Sequence, residues 1–129
     1  MFKKVTMKYN VVKEGELMTQ EQIEMTSFNI IAHAGNALDY FHKAIECAKK
    51  SDFDGAEQCM NEGKKCMTEA HKTQTQLLTQ EANNEEIKIS VILLHAQDHL
   101  MTTLNFERMA KEYIDLYKRV SELEKKIGE

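Results

Sequence analysis

A chain of 129 residues with no proline and only five glycines has few ways to break a helix, and that shortage of turn punctuation narrows the fold more than any other feature. Strong helix formers fill the space, with Ala, Glu, Lys, Gln, Met and Leu all plentiful. The expected fold class is all-α. The length is one domain's worth, enough to bury a core yet small enough to gain from association.

Apolar spacing divides the chain into three long helices. From about Met18 to Lys50, Phe28, Ile31, Ala34, Leu38, Phe41, Ile45 and Ala48 recur at steps of three and four. Ser51 and Asp52 then offer capping oxygens for a second helix. That helix, about Phe53 to Ala82, carries Ala56, Met60, Gly63, Met67, Ala70, Gln74 and Leu77 on one face. Its small residues imply close approach to a neighbour. Asn83 and Asn84 tolerate left-handed backbone and end it, and Ser90 is the expected cap of the third helix. In that helix, about Val91 to Ile127, the residues Phe106, Met109, Tyr113, Leu116, Val120, Leu123 and Ile127 form a coiled-coil seam. Short turns imply an antiparallel up-down-up bundle, and a seam longer than one bundle needs implies self-association. Residues 1–17 lack a helical period and read as a flexible N-terminal arm; residues 18–129 read as one domain.

Charge and cysteine usage exclude several classes. A formal charge of −4 and a pI near 5.8 leave no broad positive field, so no nucleic-acid partner is expected. Cys47, Cys59 and Cys66 form no CxxC pair and read as reduced core thiols. The basic start lacks a signal peptide's apolar stretch, and no apolar run approaches the roughly 20 residues of a spanning helix. A soluble, cytoplasmic protein is expected.

Chemistry concentrates in Leu93-Leu94-His95-Ala96-Gln97-Asp98-His99-Leu100-Met101-Thr102-Thr103, where polar side chains interrupt an apolar helix start. Buried polar groups cost free energy unless satisfied, so the cluster needs a reason. His95, Asp98 and His99 share one face through i,i+3 and i,i+4 spacing. Three readings are open. The residues could bond to one another and fix helix register; they could bind a metal, although Ala96 stands where a zincin motif needs glutamate. Alternatively, His95 is a phosphoryl acceptor, because a neutral imidazole is an available nucleophile near neutral pH and the helix N-terminus favours an anion. On the second helix His71, Gln74 and Thr75 repeat the spacing and either contribute to the same site or form a solvated surface. His33 and His42 have no polar constellation and read as packing or surface residues.

The stretch Val91 to Thr103 resembles the signature segment of the lactose/cellobiose-specific IIA proteins of the bacterial sugar phosphotransferase system. Phe28-Asn29-Ile30-Ile31-Ala32-His33-Ala34-Gly35, Ser51-Asp52-Phe53-Asp54, Ala70-His71 with Gln74-Thr75, and Glu81-Ala82 add to the likeness, which covers about residues 20–120. The resemblance implies a homotrimer of three-helix subunits with sites near subunit boundaries. It places the phosphorylated histidine at His95 and a shared magnesium at the trimer axis on Asp98. His99, His71 and Gln74 would support the site. It implies phosphoryl transfer from the phosphocarrier HPr to a cysteine of the cognate IIB protein, with the membrane component IIC involved only indirectly. The transported sugar would be a β-linked disaccharide, and Ala96 in place of glycine favours the cellobiose/chitobiose type over lactose. Two departures stand out: Gly35-Asn36-Ala37-Leu38 lacks the arginine common in the family, and Asn83-Asn84 replaces a common glycine. The rival expectations are a structural oligomer binding metal through His95, Asp98 and His99, and a coiled-coil adaptor.

Overall fold

The structure is a computed structural model that describes residues 18–83 and 85–128; the N-terminal arm expected at 1–17 lies outside them. Three helices make up the described chain: α1 Gln20–Lys49, α2 Phe53–Ala82 and α3 Val91–Gly128. Thr19 starts α1 with extended backbone and a reciprocal capping box. Its Oγ1 accepts from the Gln22 N–H at 3.2 Å while its own N–H donates to Gln22 Oε1 at 2.8 Å, which satisfies two helix-end donors at once. Thr19→Ala should therefore lower stability by about 1 kcal/mol in a urea titration.

At the first turn only one of the two expected caps caps. Asp52 Oδ1 accepts the Gly55 N–H at 2.9 Å and starts α2. Ser51 instead adopts a left-handed conformation, φ 61°, and its hydroxyl pairs with that of Ser121 on α3 at 3.1 Å. The second turn differs from expectation too: Asn83 closes α2 at φ −84°, ψ 16°, so the helix ends without a left-handed residue there, and Asn84 is outside the described residues. Ser90 caps α3 as expected, its Oγ accepting the Leu93 N–H at 3.2 Å.

Helix α1 is the centre of the bundle: it packs along both α2 and α3, while those two touch each other much less. Phe41 of α1 lies over Gly63 of α2, which sets the antiparallel register of that pair. Gly35 and His42 of α1 and Ser51 just beyond its end meet His99, Phe106 and Ser121 of α3 in the same order, so α1 and α3 run parallel. The bundle is up-down-up.

The α2 face is buried as expected at Ala56, Met60, Gly63, Met67, Ala70 and Leu77, with Gln74 half-buried. On α1 the expected stripe is partly displaced. Ala34, Phe41 and Ala48 are buried, but Phe28 is 55% exposed and Ile31, Leu38 and Ile45 are half-buried. Ile23, Ile30, Ala37 and Ala44 complete the true core face. The reason is the double packing: alanines sit where two neighbours approach closely, and the larger residues fall to the flanks. A methyl group at Gly63 would run into the buried Phe41 ring. Gly63→Ala should destabilise the fold by about 1–3 kcal/mol despite its better helix propensity, read as a lower denaturant midpoint.

The third helix carries two apolar faces. Leu93, Ala96, Leu100, Ala110 and Ile114 enter the core. The expected seam does not: Met109, Tyr113, Leu116, Val120, Leu123 and Ile127 are all exposed, and only Phe106 tucks inward, its ring centroid 4.4 Å from that of His42. A row of large apolar side chains facing water along a helix already packed on its opposite side marks an unpartnered surface.

Candidate functional site

The chemistry-bearing segment occupies the first three turns of α3, anchored in place by the apolar residues between its polar ones. Leu93, Ala96 and Leu100 pin this end of the helix to the core, and the intervening positions necessarily point elsewhere. His95 and Asp98 are exposed and His99 is half-buried. The His95 and His99 rings lie one turn apart and parallel, with centroids 6.1 Å apart and planes 1° from coplanar orientation. His99 leans on α1 at Gly35, where a Cβ would stand 3.6 Å from His99 Nε2. That is an ordinary contact distance, so the imidazole simply packs against α1 at this level.

Of the α2 residues, Gln74 reaches α3, but it does so at Gln97. Gln74 Nε2 donates to Gln97 Oε1 at 2.6 Å in a part-buried bond. At 100° per residue Gln97 stands about 160° around the helix from His95, so the α2 cluster meets α3 on the side away from His95. His71 is half-buried on the same side of the bundle, its backbone carbonyl accepting the Thr75 hydroxyl at 2.9 Å. Within one subunit, then, His95 and His99 belong to the α1 flank of α3, and Gln74 and His71 to the α2 flank.

The role of Gln97 is one that spacing alone did not single out. Its signal was available: it is a polar residue two positions from His95 in an apolar stretch, and two residues along a helix means opposite sides. Gln97→Ala should cost about 0.5–1.5 kcal/mol and loosen α2 from α3, and a double-mutant cycle with Gln74→Ala should recover most of that as coupling.

The metal set of the rival reading, His95, Asp98 and His99, does not close within one chain. Among the described residues no three His, Cys, Asp or Glu side chains are placed to hold one ion. A single exposed carboxylate at Asp98 is too few oxygen ligands to hold a hard cation by itself. No helix among the described residues is long and apolar enough to cross a membrane.

Comparison with known proteins agrees with this architecture. The family model described as PTS system, Lactose/Cellobiose specific IIA subunit, matches residues 25–118. A lactose-specific EIIA component of Staphylococcus epidermidis is 44% identical over 104 residues, which is 81% of this chain and 100% of that protein. The crystal structure of the PTS cellobiose-specific enzyme IIA from Bacillus anthracis superposes with a TM-score of 0.74 at 40% identity, covering 82% of this chain and 94% of that one. The IIA(chitobiose) in the solution structures of the IIA(chitobiose)–HPr complex from Escherichia coli is similar at 30% identity and a TM-score of 0.66, over 81% of this chain and 99% of that one. With its three helices, its apolar-framed histidine segment and a match through most of its length, the chain belongs to the lactose/cellobiose-specific IIA family of the sugar phosphotransferase system.

Proposed function

We propose that this chain is a cytoplasmic phosphohistidine carrier, that His95 takes the phosphoryl group from phospho-HPr, and that the group then passes to a cysteine of the cognate IIB protein. The observation that carries this reading is the placement of His95: an exposed imidazole on a helix that Leu93, Ala96 and Leu100 fix in the core. An accessible nucleophile on a rigid element is what in-line transfer between proteins requires. In the first step a ring nitrogen of His95 attacks phosphorus, an N–P bond forms and the bond to the HPr histidine breaks. In the second a IIB thiolate attacks, an S–P bond forms and the His95 N–P bond breaks. The IIA(chitobiose)–HPr complex among the structural relatives supports HPr as the donor. IIC would be served only through IIB.

A homotrimer completes the reading. Val91, Leu94, Asp98, Thr102, Asn105, Met109, Tyr113, Leu116, Val120, Leu123 and Ile127 follow one another at steps of three and four, and all are exposed. Asp98 therefore lies in line with the unpartnered apolar row. Association about this row would bring Asp98 carboxylates together, where mutual repulsion favours a divalent cation with oxygen ligands; magnesium is our choice. When bound, that ion would neutralise the axis. In a cyclic assembly the α1 flank of one α3 faces the α2 flank of the next. His95 would then meet Gln97, Gln74 and His71 of a neighbouring copy, while His99 supports it from its own helix. This explains why one subunit holds the two groups apart.

For the sugar we favour the cellobiose/chitobiose type over lactose on Ala96, which is fully buried in the α3 core face. Overall identity leans the other way, with the lactose-specific relative from Staphylococcus epidermidis at 44% against 40% for the cellobiose-specific structure, so the preference rests on Ala96 alone. The proposed relay is tested by charging the chain with phosphoenolpyruvate, Enzyme I and HPr, removing the donors and adding candidate IIB proteins. A phosphoryl group that leaves the chain and appears on a IIB cysteine supports the reading; a group that never loads, or loads and cannot be passed on, overturns it.

A further inference from the structure

Cys47 and Cys59 lie outside everything described so far. Cys47 is in the last turn of α1 and Cys59 in the second turn of α2, on the two arms of a hairpin closed by Ser51 and Asp52. The helices approach closely here because the residues between them are small: Ala44, Ala48 and Ala56 are at most 2% exposed. Each cysteine is three residues from one of these alanines and flanks the contact. The register set by Phe41 over Gly63 brings the two thiols to nearly the same level of the hairpin, near enough for Cys47 to act on the Cys59 thiol. Both are half-buried and pack on the core, so neither is sealed from small solutes.

We propose that Cys47 and Cys59 are a thiol pair that a peroxide converts into a disulfide joining α1 to α2. The Cys47 thiolate attacks a peroxide oxygen, forming S–O as the O–O bond breaks and hydroxide leaves to become water. The Cys59 sulfur then attacks the sulfenic sulfur, S–S forms, S–O breaks and a second water departs. Two thiols are oxidised by two electrons and one peroxide is reduced. Burial, with Cys47 beside it, raises the Cys59 thiol above its ordinary pKa, which lowers its thiolate fraction at neutral pH and slows its attack. Raising the pH should accordingly speed closure. The bond encloses 11 intervening residues and restrains the unfolded chain.

Cys66 is a built-in control. It lies about two turns farther along α2 with Glu62 as its charged neighbour, and burial raises its pKa as well; no thiol raises it. The test treats the reduced full chain with hydrogen peroxide, alkylates the remaining thiols and maps tryptic peptides without reduction. The expected result is a loss of two hydrogens, a Cys47–Cys59 linked peptide pair, Cys66 alkylated, and a melting temperature raised by about 5–10 °C that dithiothreitol reverses. Cys66→Ser should keep the link and Cys59→Ser should abolish it. Sulfinic acid on either thiol, links through Cys66 or between chains in place of the pair, or three thiols that all stay alkylatable would overturn the proposal.

Discussion

His95→Gln will abolish phosphoryl loading from phospho-HPr, a loss on the order of 10⁶-fold if it matches the removal of a nucleophile from other enzymes. Glutamine keeps a polar, uncharged side chain of similar reach but has no nitrogen able to attack phosphorus. The side chain is exposed on the helix surface, so the variant should fold and assemble as the native chain does, within about 0.5 kcal/mol. That separation distinguishes a carrier from a structural oligomer. A carrier loses transfer and keeps assembly; a histidine that holds subunits together does the reverse. The two outcomes are read on one sample, by phosphoryl incorporation and by sedimentation.

Leu116→Asp combined with Leu123→Asp will convert the proposed trimer to monomers without unfolding the bundle. Both leucines are more than half exposed in the subunit and stand opposite the face that packs on α1, so the fold has little use for them. Burying each in an interface is worth about 1.5–3 kcal/mol, and a carboxylate in its place must be desolvated beside identical charges from the other copies. The dissociation constant should rise by at least about 10³-fold. Native and variant chains compared by sedimentation give the answer directly. Because His95 would draw Gln97, Gln74 and His71 from a neighbour, loading should fall with assembly even though every residue named at the site is intact. A variant that stays assembled would remove the stripe from the interface.

Much of this architecture was legible in the sequence, for reasons particular to each element. Helix α2 was read to its last residue because it packs on one main partner, so its buried face repeats at a single period from Ala56 to Leu77. Helix α1 was read in extent but rotated in detail: it serves two partners, its closest contacts are alanines, and hydropathy gave more weight to Phe28 and Leu38 than to Ala37 and Ala44. The seam on α3 was visible as a pattern, but periodicity reports only that a face is apolar. That the core is on the other side, at Leu93, Ala96 and Leu100, required the structure.

The candidate site divides in the same way. The grouping of His95, Asp98 and His99 follows from helix spacing alone, and the structure keeps them on adjacent parts of one surface. The placement of Gln74 does not follow, because its side depends on how α2 is set against α3. The bond to Gln97 resolves it, placing the α2 cluster on the opposite flank of α3 from His95. Ser51 is a smaller example. A serine before a helix is read as a cap, yet its left-handed backbone sends the hydroxyl to Ser121 instead.

The most direct measurement is the intact mass of the native chain after incubation with phosphoenolpyruvate, Enzyme I and HPr, followed by site mapping under alkaline conditions that preserve phosphohistidine. One acid-labile phosphoryl group per chain, mapped to His95, is the expected result. An unmodified mass on a folded assembly would contradict the carrier function, and an adduct on His71 or His99 would contradict the assignment of His95.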